Sequence, residues 1–247
     1  MTNIRVIANH KGGVAKTSTA ANLGAALSKK GKKVLLVDLD PQCNLTNHFN
    51  KANSTEHTIF SAMNKRETVH PVSIKENLDI VISDLDLAAL ELQLISAPAR
   101  EQVLKKVLSP VVEKYDEVII DCGPTISILM MNAITAGTTM LIPVEPEPFA
   151  LEGLSTFEKH FKTMKDALNK SLTICGILIT KFDGRKAIHK DIAKAVENRY
   201  QAKVFKTRIR TNVSLTEAQA HGIDIFEYNT KSNGAVDYKN VADELSA

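Results

Sequence analysis

Apolar residues in this chain fall into short unbroken runs, separated by longer stretches where apolar and polar positions recur every three or four residues. Runs at residues 4–8, 34–38, 78–82, 117–121, 140–144 and 174–180, with a shorter one at 204–205, have the length and β-branched content of strands. Several are apolar at nearly every position, as in strands of a parallel sheet covered on both faces. Segments 17–29, 98–114, 151–168 and 187–200 have helix length. In the last, Ile188, Ile192, Val196 and Tyr200 recur every four residues while Lys190, Lys194 and Glu197 face elsewhere. Strands alternating with helices predict an α/β fold, with a mostly parallel sheet flanked by helices on both faces. No linker, repeat or low-complexity tract breaks the pattern, so residues 1–247 are expected to form a single domain.

Composition changes this picture little. A hydrophobic content of 44% and a charged content of 24% are ordinary for a globular protein. No apolar run approaches the ~20 residues of a membrane span, and a strand-like run so near the start leaves no signal peptide. The expectation is a cytoplasmic protein with no membrane partner. Cys43, Cys122 and Cys175 are far apart and lack C-x-x-C spacing, so they read as small buried side chains in a reducing compartment. Charge is more informative. The net value is +3, yet residues 181–210 hold ten Lys/Arg against three acids, a local +7 on a body of −4. Such a patch predicts a polyanionic partner at one face.

The first run leads into KGGVAKTS and then a helix, the setting a phosphate-binding loop requires. The usual G-x-x-x-x-G-K-[ST] pattern fails at both outer glycines, where His10 and Ala15 stand, and Lys11 is an additional lysine. Gly12 and Gly13 allow the backbone through Val14 and Ala15 to turn its N–H groups inward around an anion. The helix beginning near Lys16 adds its positive end. Lys16 is placed for the β/γ-phosphates, Thr17 for Mg²⁺ and Ser18 for an inner phosphate. If the loop needs φ > 0 at Ala15, its Cβ costs about 1–2 kcal/mol, which lowers affinity without abolishing it. Two further elements support the reading. VLLVDLD puts Asp38 and Asp40 at the carboxyl end of an apolar run, where acids are poor core material and suit a water and Mg²⁺. YDEVIIDCGP ends an apolar strand in Asp121, the layout of a Walker B carboxylate reaching the metal through water.

Together these residues resemble the ParA/MinD family of deviant-Walker ATPases, and within it the ParA-type partition ATPases. The family loop, K-G-G-x-x-K-[ST], contains the additional lysine and does not need the first glycine. The resemblance runs along the whole chain, through SDLDLAALELQLIS, IPVEPEPFALEGLSTF, ILITKFDGR and TNVSLTEAQAHGIDIFEYNTKSNGAVDY. It departs at Ala15, at Glu145 in place of Gln, at Cys122-Gly123-Pro124, and at Ile209-Arg210-Thr211-Asn212, where I-P-R-N is usual.

The resemblance implies a P-loop NTPase-like fold and Mg²⁺-dependent hydrolysis of ATP. It implies a homodimer when ATP is bound, in which Lys11 reaches the partner subunit's nucleotide. Lys11, Lys16 and Asp40 form the implied catalytic set, with Asp40 positioning the attacking water. Thr17, Asp38 and Asp121 form the metal set. The implied partners are non-specific DNA and a ParB-like adaptor that stimulates hydrolysis. Arg185 matches the arginine of the family's D-x-R stretch and Arg210 is displaced by one from its I-P-R-N arginine. Lys186, Lys206 and Arg208 extend this candidate DNA contact. Other readings on the same scaffold are a MinD-like membrane ATPase, a metabolic enzyme or cluster carrier, and a positioner of another cargo. The tail YKNVADELSA lacks the bulky apolar face that membrane docking needs, and paired cysteines for a cluster are missing. A cargo positioner would share every residue named here.

Overall fold

Alternation within each buried strand sorts side chains onto two faces of one sheet, and helices cover both. The computed structural model describes residues 2–52 and 54–246. Its strands are β1 (Asn3–Ile7), β2 (Val34–Leu39), β3 (Val72–Lys75), β4 (Leu78–Val81), β5 (Glu117–Cys122), β6 (Thr139–Val144) and β7 (Thr173–Ile179). They lie in the order β3-β4-β2-β5-β1-β6-β7. Every pairing is parallel except that of β3, an antiparallel edge strand on β4. The mostly parallel α/β expectation therefore holds. β3 itself carries no apolar run: Val72 and Ile74 pack on the core while Ser73 between them is exposed.

The helices are α1 (Lys16–Lys29), α2 (Asn44–His48), α3 (Ile59–Lys65), α4 (Leu87–Leu94), α5 (Val103–Val112) and α6 (Ile128–Ala136). After them come α7 (Ala150–Leu168), α8 (Ala187–Tyr200), α9 (Val213–Ala220), α10 (Ile225–Tyr228) and α11 (Asn233–Glu244). One sheet face presents Val6, Val37, Ile120 and Ile142 to a core that includes Leu104, Ala133, Phe157 and Val196 of α5 to α8. The other presents Ile7, Leu36, Ile119 and Leu141 to a core built on α1, α2, α10 and α11. Each fully buried aliphatic side chain stabilises the fold by about 1.5–3 kcal/mol.

Helix α1 lies deep in the second core, and its buried polar groups are all partnered. Thr19 shares a 3.3 Å hydrogen bond with the hydroxyl of Tyr238. Asn22 donates to the Ser18 carbonyl at 2.8 Å and accepts from the Ile225 amide at 2.9 Å. The C-terminal helices thus fix the orientation of the helix that follows β1.

Two sequence expectations are corrected. Residues 204–205 form no strand; Val204 makes a single parallel bridge to Ile177, and the chain to Arg210 then follows the β7 edge. The expected helix over 98–114 shortens, because Ala99 is left-handed (φ 52°) and a 3₁₀ turn at Arg100–Gln102 precedes α5. Gly176 explains the close approach of the first of these segments: a Cβ there would sit 2.2 Å from the Phe205 ring. Gly176→Ala should destabilise the protein by about 1–3 kcal/mol in chemical denaturation, and adding Phe205→Leu should recover part of the loss.

Candidate functional site

The register of three adjacent strands builds the site. β5 lies between β1 and β2, with Asp121 paired to Ile7 on one side and to Asp38 on the other. The carboxyl ends of these strands therefore bring the loop after β1, the Asp38–Asp40 turn and Asp121 to one place. This is the edge where open α/β sheets bind ligands.

The loop between β1 and α1 is tied at both ends. Asn9 donates to the Pro143 carbonyl at 2.8 Å and accepts from the Lys11 amide at 3.0 Å. Thr180 donates to the carbonyl of buried Val14 at 3.1 Å. Between these ties Gly13 (φ 75°) and Ala15 (φ 64°, ψ 34°) are left-handed. Ala15 therefore does carry the strain anticipated for a Cβ at the second glycine position. It also caps α1 without any side-chain acceptor, leaving the first amides of the helix free for an anion. His10 needs no glycine freedom: its ring stacks on Phe157 at 5.9 Å, and burial pushes its pKa down.

A cavity of about 410 Å³ opens beside the loop. Gly12, Gly13, Ala15, Lys16, Thr17 and Ser18 form one wall, and Asp40, Gln42 and Asn44 form another. Lys181, Thr216 and Gln219 also line it, and none of these was anticipated from sequence. Lys16 is 8% exposed and donates to the Lys11 carbonyl at 3.1 Å. Burial lowers its pKa, and the nearby Asp121 and Asp40 charges partly offset that effect.

The carboxylates have distinct environments. Asp40 accepts from the Gln42 amide at 3.0 Å and from the Asn44 side chain at 3.3 Å. Gly123 lets the next loop approach it, since a Cβ there would lie 3.2 Å from Asp40 Oδ1. Asp38 is fully buried and accepts from the Thr46 amide (2.8 Å), the Thr46 hydroxyl (2.7 Å) and the Asp40 amide (3.2 Å). Burial raises its pKa to about 6 despite those bonds. Asp121 is fully buried and neither oxygen has a hydrogen-bond partner. Burial pushes its pKa well above the carboxylate range and the Asp38 charge pushes it further, while Thr17 and Lys16 only temper the shift. An unpartnered buried carboxylate beside a threonine hydroxyl fits a magnesium ion, which takes oxygen ligands and keeps several waters.

Lys11 lies outside this cavity. It lines a neighbouring one of about 600 Å³, where its ammonium contacts Glu147 at 2.8 Å.

The basic residues lie in the loop beyond the carboxyl end of β7 and in the 204–210 segment that follows its edge. Phe182 bridges to Arg210, and the Arg208 guanidinium lies 4.6 Å from the Phe182 ring centroid. Each arginine is already paired: Arg185 with Asp183 (2.8 Å), Arg208 with Glu197 (2.5 Å) and Arg210 with Asp237 (2.6 Å). Lys186 and Lys206 are exposed with no ion pair among the described residues. No described helix is long and apolar enough to cross a membrane.

Known proteins resemble this chain in sequence and in fold. The AAA domain family model matches residues 2–174. Sporulation initiation inhibitor protein Soj of Bacillus subtilis is 39% identical, over 100% of this chain and 99% of its own. Chromosome-partitioning ATPase Soj of Treponema pallidum is 37% identical over 98% and 96%. The chain belongs to the ParA-type family of partition ATPases. Its fold also matches cobyrinic acid a,c-diamide synthase from Mycobacterium smegmatis with bound ATP analog and magnesium. That match has a TM-score of 0.86, with 31% identity over 100% of this chain and 95% of the other.

In this ParA-type chain two features of the site have measurable costs. Ala15→Gly relieves a left-handed Cβ worth about 1–2 kcal/mol, offset by about 0.4–1 kcal/mol of added unfolded-chain entropy. It should therefore leave stability equal or slightly higher in chemical denaturation and, because Ala15 is left-handed before any ligand binds, leave nucleotide affinity in calorimetry unchanged. Asp121→Asn should stabilise the nucleotide-free protein by about 1–2 kcal/mol near neutral pH. A raised native pKa means the native state loses stability as the carboxyl ionises with rising pH. The gain should accordingly be absent below the carboxylate range and grow above it in thermal melts, while the magnesium-dependent part of nucleotide affinity disappears.

Proposed function

We propose that the protein is one ATPase domain that couples ATP binding and hydrolysis to partition of DNA. ATP with Mg²⁺ occupies the cavity beside Lys16, and two ATP-bound subunits join face to face as a sandwich. The observation that carries this reading is the separation of the two loop lysines. Lys16 lines the phosphate cavity, whereas Lys11 is directed away from it, to Glu147 in the neighbouring cavity. A lysine that does not serve its own cavity is available for the phosphates of a second subunit. Exposed apolar side chains on the same edge support a face-to-face partner: Leu85, Ile126 and Phe149 follow β4, β5 and β6.

Within the site each residue has a proposed task. The loop amides from Gly12 to Ser18 and the Lys16 ammonium bind the phosphates. Thr17 and Asp121 are the residues that would hold Mg²⁺. Bound magnesium supplies charge neutralisation of the phosphates. Asp38 acts behind them, fixing Thr46 and the Asp40 amide. Asp40, held open to the cavity by Gln42 and Asn44, orients the attacking water. Positioning and electrostatics carry most of phosphoryl-transfer catalysis.

The dimer then binds DNA through two basic strips, one per subunit, so that the second contact becomes intramolecular. The contacts are to phosphate and carry no base readout. Arg185, Lys186 and Lys206 are the exposed members of the strip, and Arg208 and Arg210 stand behind them in ion pairs. The Arg185 guanidinium is exposed and that of Arg208 partly exposed, so phosphate oxygens can compete for them, whereas Arg210 is held on both oxygens of buried Asp237 and is the least available of the three. A ParB-like adaptor stimulates hydrolysis and releases the DNA. The protein is cytoplasmic and associates with the nucleoid in its ATP state.

DNA retention with ATP, ADP or no nucleotide, at low and high salt, tests the whole scheme. ATP alone should give retention on unrelated duplexes that falls steeply with salt. Lys11→Ala should bind ATP but stay monomeric and lose retention. A combined Arg185→Glu and Lys186→Glu variant should dimerise normally and lose retention on every duplex equally. Retention that is indifferent to nucleotide would overturn the partition reading, and ATP-driven dimers that ignore DNA would favour positioning of another cargo.

A further inference from the structure

Two lysines of the site are held by a single short loop. Residues 145–149 read Glu-Pro-Glu-Pro-Phe and join β6 to α7. Glu147 accepts from the ammonium of Lys11 at 2.8 Å. Glu145 pairs with the ammonium of Lys181, which lines the phosphate cavity, at 3.4 Å. The loop is stiff: prolines fix φ at 146 and 148, the Glu147 amide donates to the Glu145 carbonyl at 2.8 Å, and Phe149 is left-handed at φ 67°. The two carboxylates are therefore presented at a set spacing, not on a wandering strap. The Lys11 contact holds the Glu147 carboxyl below its ordinary range.

We infer that the 145–149 loop is a keeper for the site lysines, with Glu147 and Glu145 holding Lys11 and Lys181 in the empty subunit until phosphate displaces them. The inference rests on the proposed cross-subunit role of Lys11. Its physical basis is competition between anions for one cation. The side chains of Lys11 and Glu147 are 40% and 47% exposed, so water screens their attraction. Such a pair is weak enough to open and strong enough to bias where the ammonium rests. A triphosphate presents far more negative charge than one carboxylate, so the exchange runs toward the nucleotide once it is bound. Without nucleotide, Lys11 remains neutralised within its own subunit and the two faces have no phosphate for it to reach. Phe149, 82% exposed, follows Glu147 by two residues, so the keeper and the apolar rim of the assembling face are one short element. Glu147 is thus a positioning residue that acts through Lys11.

The test is dimerisation of the intact protein by light scattering against a slowly hydrolysed ATP analogue. Glu147→Gln, which keeps the shape and removes the charge, should lower the analogue concentration at half-dimerisation by about 2–5-fold. The shift should shrink at about 1 M salt, where screening reaches ~3 Å. A purely structural role would not depend on salt in this way. Glu145→Gln provides a second variant: it should tighten analogue binding to the monomer by freeing Lys181. Thermal melts matching the parent would show that both proteins are folded. A Glu147→Gln half-point that is unchanged, or raised, overturns the inference. If Lys11→Ala dimerises normally, the cross-subunit reading fails and the inference falls with it. If Lys11→Ala stays monomeric while Glu147→Gln is unshifted, the inference alone fails.

Discussion

A carboxylate buried at the centre of a sheet with no donor for either oxygen opposes folding, and the surroundings of Asp121 answer to that constraint. Burial and the neighbouring Asp38 both disfavour its charge. Lys16 cannot neutralise it fully, because burial also works against the ammonium. The protein's own groups thus leave Asp121 without a compensating cation and the α1 amides without a side-chain acceptor. Magnesium and a polyphosphate would supply both together. The rest of the architecture holds this arrangement in place: Thr46 and the Asp40 amide satisfy Asp38, Asn9 and Thr180 pin the loop, and Lys16 donates to the Lys11 carbonyl within it.

Much of this site is legible in the chain because strand ends are legible. Asp38, Asp40 and Asp121 stand out as acids closing apolar runs, and the buried parallel strands carry the strongest local signal. Asn9 and Thr180 close two such runs in the same way, a signal present but weaker because small polar residues are common there. Other features depend on distant partners. Asp237 reaches Arg210 across 27 positions, and no local pattern announces that the arginine is engaged. The single bridge at Val204 and the left-handed Ala99 are likewise set by tertiary packing, which overrides propensity in short segments.

The arginine pairs alter how the basic segment should be understood. A count of +7 over residues 181–210 suggests a strong field, yet three of its arginines are matched to carboxylates, and the Glu244 carboxylate accepts from the Lys206 and Thr207 amides at the same end of the molecule. The surface is better described as a set of exchangeable contacts than as a uniform positive plate.

The packing of α1 has a consequence for biosynthesis. The phosphate loop leaves the ribosome well before the groups that satisfy Thr19 and Asn22, which arrive with Tyr238 and Ile225, more than two hundred residues later. Until then the helix behind the loop has bare polar groups on a face meant for a dry core. A nascent chain therefore has the nucleotide motif long before it has a nucleotide site.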